Sequence, residues 1–254
     1  MDKIAAEKDN IMDILESNSL TVHFQPIHSL EGKILGHEAL ARFKGDSRFL
    51  NIAALFDAAI RTDTISSLDI LCRENALRAA SSLMKDKDTC LFMNICPETL
   101  LSATRQPGMT DELADRCGIS REKIILEITE ETAIRNYPLF KNAVSYYRDK
   151  GYKIALDDFG TGYGGLKMLS VIRPDFVKID RHFISHIDRD FVNLALVESV
   201  TLLCHRLGMK VVAEGIERAE ELTFAKSMGI DFFQGFLMGR PTPADARPSR
   251  AFRT

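Results

Sequence analysis

The stretch VHFQPIHSLEGKILGHEAL, residues 22–40, decides the fold. Two apolar runs, Val22 to Ile27 and Ile34 to Leu40, are separated only by His28-Ser29-Leu30-Glu31-Gly32-Lys33. That linker is too short for the crossover helix that joins parallel strands, so the runs are predicted to form an antiparallel hairpin. Outward from the hairpin, further strands are predicted at Leu91 to Ile95, Ile124 to Ile128, Lys153 to Leu156, Phe176 to Ile179, Lys210 to Ala213 and Asp231 to Phe233. Helical patterns over Ile52 to Arg61, Ile65 to Lys85, Pro138 to Lys150, Leu166 to Val171, Phe191 to Leu207 and Ala219 to Met228 mostly separate them. Eight strands alternating with helices over 254 residues predict an α/β fold, a modified (β/α)8 TIM barrel with the first strand antiparallel. A doubly wound sheet is the alternative on pattern alone.

The flanks are simpler. Ile4, Ile11, Met12, Ile14 and Leu15 make one apolar face of a short helix, so residues 1–19 read as an N-terminal cap and 20–241 as the barrel domain. Residues 242–254, rich in proline and without periodicity, read as a loosely ordered tail. No apolar stretch approaches the ~20 residues needed to cross a bilayer, so no membrane contact is expected. The charged, periodic N-terminus is not expected to act as a signal peptide. A net charge of −3 and a pI near 6.1 argue against binding a long nucleic acid, while leaving room for a local small-anion pocket. Five scattered cysteines without a Cys-x-x-Cys pair suit a cytoplasmic, reduced protein.

Buried parallel strands should be almost continuously apolar, so polar residues at their ends need a reason. They recur at the C-terminal ends: Glu38, Asn94, Glu127 with Glu130, Asp157 with Asp158, Lys178 with Asp180, Glu214 with Glu217, and Gln234. In a barrel those ends meet at one mouth, which Gln25 on the reversed strand can also reach. A single such residue reads as a salt bridge or a loop cap; agreement across the strands points to a site. Asp157 and Asp158 are adjacent, and neighbouring acids resist joint ionisation unless a cation or a shared proton stabilises them. Carboxylates and an amide, without cysteine or histidine, form a hard oxygen donor set suited to Mg²⁺ or Mn²⁺. The six histidines follow no metal spacing, and His37 alone is a weak candidate for supporting a ligand.

Gly160-Thr161-Gly162-Tyr163-Gly164-Gly165 formally matches a dinucleotide-binding turn, with Asp180 at about the distance of a ribose-binding acid. Asp157-Asp158 would then place two negative charges beside a pyrophosphate with nothing to neutralise them. A metal site followed by a glycine loop accounts for the whole segment.

Laid out in this way, the chain resembles the EAL domain family of bacterial cyclic di-GMP phosphodiesterases. The matching motifs are Phe24-Gln25-Pro26-Ile27, Glu38-Ala39-Leu40 with Arg42, Met93-Asn94-Ile95, Leu126-Glu127-Ile128-Thr129-Glu130, Asp157-Asp158-Phe159-Gly160-Thr161-Gly162-Tyr163, Lys178-Ile179-Asp180, Ala213-Glu214-Gly215-Ile216-Glu217 and Gln234-Gly235-Phe236. The resemblance implies hydrolysis of cyclic di-GMP to linear pGpG with two ions, Mg²⁺ or Mn²⁺. Glu38, Asn94, Glu127 and Asp157 would hold one, and Asp157 would bridge to a second beside Asp158 and Glu214. It also implies that Lys178 acts with Glu38 and Asp157 in catalysis and that Glu130 braces the glycine loop. Gln25, Leu40, Arg42, Asp180, Glu217 and Gln234 would contact the dinucleotide. A homodimer and an upstream regulatory module or partner are further implications. Gly164-Gly165 stands where the family usually has two serines, and Phe43 where it usually has tryptophan. A catalytically silent cyclic di-GMP receptor is the alternative function; such relatives typically lose a metal ligand, and none is lost here.

Overall fold

The computed structural model describes residues 3–84, 88–102, 108–129, 136–162 and 164–246. Eight strands close a barrel in chain order: β1 (Leu20–Ser29), β2 (Ile34–Phe43), β3 (Cys90–Asn94), β4 (Ile124–Thr129), β5 (Lys153–Phe159), β6 (Phe176–Ile179), β7 (Lys210–Ala213) and β8 (Phe232–Phe233). Closure excludes the doubly wound alternative. β1 runs antiparallel to both neighbours, pairing Gln25 with Glu38 on β2 and His28 with Phe233 on β8, and the other pairs are parallel.

The helices are α1 (Lys3–Ser17), α2 (Ile52–Arg61), α3 (Ile65–Ala80), α4 (Pro97–Ser102), α5 (Met109–Cys117), α6 (Tyr137–Asp149), α7 (Gly165–Ile172), α8 (Arg181–Ile184), α9 (Phe191–Arg206) and α10 (Ala219–Ser227). α4, α5 and α8 were not expected from the sequence, and α3 ends at Ala80 rather than reaching Lys85. α4 and α8 span six and four residues, too short for a 3.6-residue period to register. Side-chain caps fix several helix starts: Asn51 accepts from Ala54 N, Asn136 from Leu139 N, and Asp190 from Val192 N and Asn193 N. The apolar face of α1 is narrower than expected. Ile11 and Ile14 pack with Leu55, Ala58 and Leu68 of α2 and α3, but Ile4 and Met12 are exposed. At the other end Thr242, read as tail, is tied to Phe24 by reciprocal backbone hydrogen bonds of 2.7 and 3.0 Å.

Two-residue alternation along the strands explains how the barrel creates a site. Ile27, Phe92, Ile125, Ala155, Phe176 and Val212 pack together as an apolar layer inside the barrel. Two residues further toward the mouth on the same strands come Gln25, Asn94, Glu127, Asp157, Lys178 and Glu214. Phe232 packs against the same layer and precedes Gln234, while Glu38 lies two residues beyond Gly36. The apolar layer closes the floor, so side chains above it open only toward the C-terminal ends of the parallel strands.

Candidate active site

Lys178 is the centre of the mouth. Its ammonium is fully buried, with Nζ 2.7 Å from Glu127 Oε1, 2.7 Å from Glu214 Oε1, 2.9 Å from Asp157 Oδ1 and 3.4 Å from Glu38 Oε2. Burial pulls its pKa down, but the facing carboxylates of Asp157, Glu127, Glu214 and Glu38 outweigh that and hold it well above the usual lysine value. The acids are less well compensated. Glu127 is raised well above the carboxylate range by burial, opposed by Lys178 and reinforced by Glu38 and Asp157. Glu214 is raised similarly, again with burial leading. Asp158 is pushed up to about 7 by burial and then by Asp157.

One ammonium facing Glu38, Glu127, Asp157, Asp158 and Glu214 leaves the mouth short of positive charge. Oxygens of Glu38, Glu127 and Asp157 lie within 4.8 Å of one another, as do those of Asp157, Asp158 and Glu214. The groups share Asp157. Glu127 Oε1 and Asp157 Oδ1 are buried without an aligned hydrogen bond, close as Lys178 is. Unsatisfied hard oxygens in two overlapping triads are a donor set that fits divalent cations. Asn94 completes the first group's edge, its Nδ2 lying 3.5 Å from Glu127 Oε2.

Asp158 reaches this cluster by a break in the strand. Its parity is opposite to that of Asp157, so plain alternation would turn it away. The β5–β6 register shifts between Leu156 and Phe159, and Asp158 has φ +52°. This bulged, left-handed step is uncommon outside glycine, asparagine and aspartate. The turn is held by Asp158 O, which accepts from Thr161 N at 3.2 Å and Thr161 Oγ1 at 2.8 Å. Gly160 follows at φ +105°, and a Cβ there would lie 2.3 Å from Phe183 Cε2.

The remaining sequence-selected residues divide. Gln25 and Gln234 are buried and face Glu38: Gln234 Nε2 donates to Glu38 Oε2 at 2.5 Å and to Gln25 Oε1 at 3.3 Å, while Gln25 Nε2 donates to Gly239 O at 3.0 Å. Gln234 therefore orients Glu38, and Gln25 orients Gln234. Leu40 and Arg42, with Asn94 and Thr129, line a cavity of about 650 Å³ that extends beside the mouth between α2, α3 and the ends of β2 and β3. Asp180 caps α8 by accepting from His182 N at 2.7 Å, and Glu217 pairs with Arg181 at 3.1 Å. His37, of opposite parity to Glu38, points away from the cluster, and burial lowers its pKa. Glu130 lies outside the described residues.

The sequence and the barrel both match known proteins. A family model described as the EAL domain matches residues 8–241. The chain belongs to the EAL domain family. Among EAL relatives, the probable cyclic di-GMP phosphodiesterase PdeA of Escherichia coli K12 is 33% identical over 243 residues, covering 92% of this chain and 32% of the relative. The cyclic di-GMP phosphodiesterase PdeF of the same organism is 31% identical, covering 95% of this chain and 32% of the relative. The chain thus spans about a third of the length of these relatives. An EAL structure of the PaMucR phosphodiesterase in complex with c-di-GMP superposes with TM-score 0.84 at 27% identity, covering 94% of this chain and 98% of that one. The manganese and cyclic di-GMP complex of Klebsiella pneumoniae BlrP1 gives TM-score 0.78 at 31% identity, covering 89% and 57%. Of the sequence departures, Phe43 packs with the α1–α2–α3 cluster, and Gly164 is the N-cap of α7.

Proposed function

We propose that this chain hydrolyses cyclic di-GMP to linear pGpG using two divalent cations, Mg²⁺ or Mn²⁺. Glu38, Asn94, Glu127 and Asp157 would hold one, and Asp157, Asp158 and Glu214 the other. The observation that carries the reading is the pair of carboxylate triads sharing Asp157 above the apolar floor of the barrel. When bound, such ions polarise a phosphodiester and lower the pKa of water at the site.

The chain's own groups account for the rest. Lys178 Nζ, held by Glu127 and Glu214, offers fixed positive charge where the phosphodiester gains negative charge as water adds to phosphorus and one ring P–O bond breaks. Gln234, itself held by Gln25, fixes Glu38 Oε2, the oxygen that faces Lys178. Arg42, at the rim of the adjoining cavity, is suited to grip a phosphate through its planar guanidinium, with Leu40, Asp180 and Glu217 beside the dinucleotide. Glu130 would brace the glycine loop. A homodimer belongs to the same reading, tested by sedimentation, as does a regulatory module, which the greater length of the relatives supports.

Chromatography of cyclic di-GMP incubated with the purified chain and Mg²⁺ or Mn²⁺ tests the proposal. Linear pGpG should appear, and Glu38→Ala should lower turnover by at least about 100-fold. Intact substrate with both metals would refute hydrolysis, and tight binding without turnover would leave a receptor in its place.

A further inference from the structure

Glu221 lies outside the mouth, yet it is buried and ties the loop that carries Glu214 and Glu217 to the segment following α8. It sits in the first turn of α10, where Oε2 accepts from Glu217 N at 3.0 Å and Arg218 N at 3.1 Å. Oε1 accepts from His186 N at 3.0 Å, in the segment following α8. A carboxylate serving three amide donors is strongly satisfied; burial opposes its charge, but the amides of His186, Glu217 and Arg218 lower its pKa. Arg218 adds a second tie between the same loops, with Nη2 2.8 Å from Asp188 Oδ1 and Nη1 2.8 Å from His186 Nδ1.

The loop fixed in this way runs from Glu214 to Arg218. Its other amides are also held: Glu214 N donates to Ile179 O at 3.1 Å and Ile216 N to Gln234 O at 3.0 Å. Gly215 has φ +68°, and a Cβ there would lie 2.3 Å from Arg181 Cγ, so the α8 segment packs directly on the loop. Releasing the Glu217–Arg218 end removes the anchor three residues beyond Glu214, whose carboxylate lies 2.7 Å from Lys178 Nζ. A shift there acts on the spacing of Glu214 from Asp157 and Asp158, whose carboxylate oxygens lie within 4.8 Å of its own.

We infer that Glu221 is a positioning residue that holds the Glu214–Arg218 loop against the segment following α8, keeping Glu214 within reach of Asp157 and Asp158. The inference rests on the metal-dependent reading of the mouth for its effect on metal, but not for its effect on the loop.

Glu221→Gln keeps the side chain's shape but leaves one acceptor oxygen for three amides. Mn²⁺ affinity, measured by calorimetry without substrate, should fall about tenfold, the lower end of what loss of outer support to a metal ligand costs. Hydrogen exchange at Glu214 N and Ile216 N, which do not touch Glu221, should accelerate while circular dichroism stays native. A plain helix cap would lower the melting temperature and leave both readouts within about twofold of wild type; that result overturns the inference. If the wild type binds no Mn²⁺, the metal reading fails, and exchange at Glu214 and Ile216 still decides whether Glu221 positions the loop. Should Glu221→Gln not fold, Arg218→Gln removes the second tie, and unchanged exchange at those two amides would be the refuting outcome.

Discussion

Replacing Lys178 with methionine removes the buried positive charge while keeping most of the side chain's length. At an effective dielectric of about 20, a unit-charge pair at the 2.7 Å of Glu127 and Glu214 is worth about 6 kcal/mol, and one at the 3.4 Å of Glu38 about 5 kcal/mol. Desolvation of the ions and repulsion among the acids oppose most of that, so the net loss on removing one partner of a buried pair is about 3–5 kcal/mol. For a domain of this size, that corresponds to a fall in melting temperature of roughly 6–20 °C. The assay is thermal unfolding of wild type and Lys178→Met in chelator between about pH 5 and pH 8. Glu127 and Glu214 already have raised pKa values, with burial as the first cause, and loss of the ammonium raises them further. A carboxylate with a raised folded pKa binds its proton more tightly when folded; its contribution is present below the unfolded value and lost as pH rises through the folded one. The gap between variant and wild type should therefore widen toward alkaline pH and narrow toward acid. A gap below about 2 °C at neutral pH, or one independent of pH, would refute the view that Lys178 is the counter-charge of these acids.

The remaining predictions concern the strand break. Asp158→Asn retains a residue that tolerates the left-handed backbone at φ +52° but removes the charge; it should melt close to wild type and bind Mn²⁺ at least about tenfold more weakly by calorimetry. Gly160→Ala should cost about 2–4 kcal/mol in denaturant unfolding, combining strain at φ +105° with the clash against Phe183. Adding Phe183→Ala should recover the steric part in a double-mutant cycle, and simple additivity would show that the ring is not the obstacle.

Most of the barrel was legible because its strands are short apolar runs and its longer helices show a period of 3.6. The hairpin followed from a linker too short for a crossover, and β6 and β7 coincide with the apolar runs Phe176 to Ile179 and Lys210 to Ala213. Two kinds of miss have plain causes: α4 and α8 are too short to display a period, and the ends of β1 and β5 continue through polar residues that the apolar runs exclude. Ile4 and Met12 fit a helical stripe yet stay exposed, because burial depends on where α2 and α3 end as well as on the pattern in α1.

At the mouth, the same parity separates what a pattern can reveal from what it cannot. Asn94, Glu127, Asp157, Lys178, Glu214 and Gln234 each stand two residues beyond an inward apolar residue, so strand alternation alone brings them to one place. Asp158 breaks that rule and joins the cluster only through the β5 bulge, a backbone event that its side chain permits without announcing. Gln25 and Gln234 were legible as mouth residues, but the bonds of Gln234 to Glu38 and to Gln25 were not, since they depend on β8 closing the barrel against β1. Glu221 carried no strand-end signal, and its one sequence cue, an acid in the first turn of a helix, is shared with many exposed caps. What separates it from them is burial against a second loop, a property of the closed barrel that no window of sequence contains.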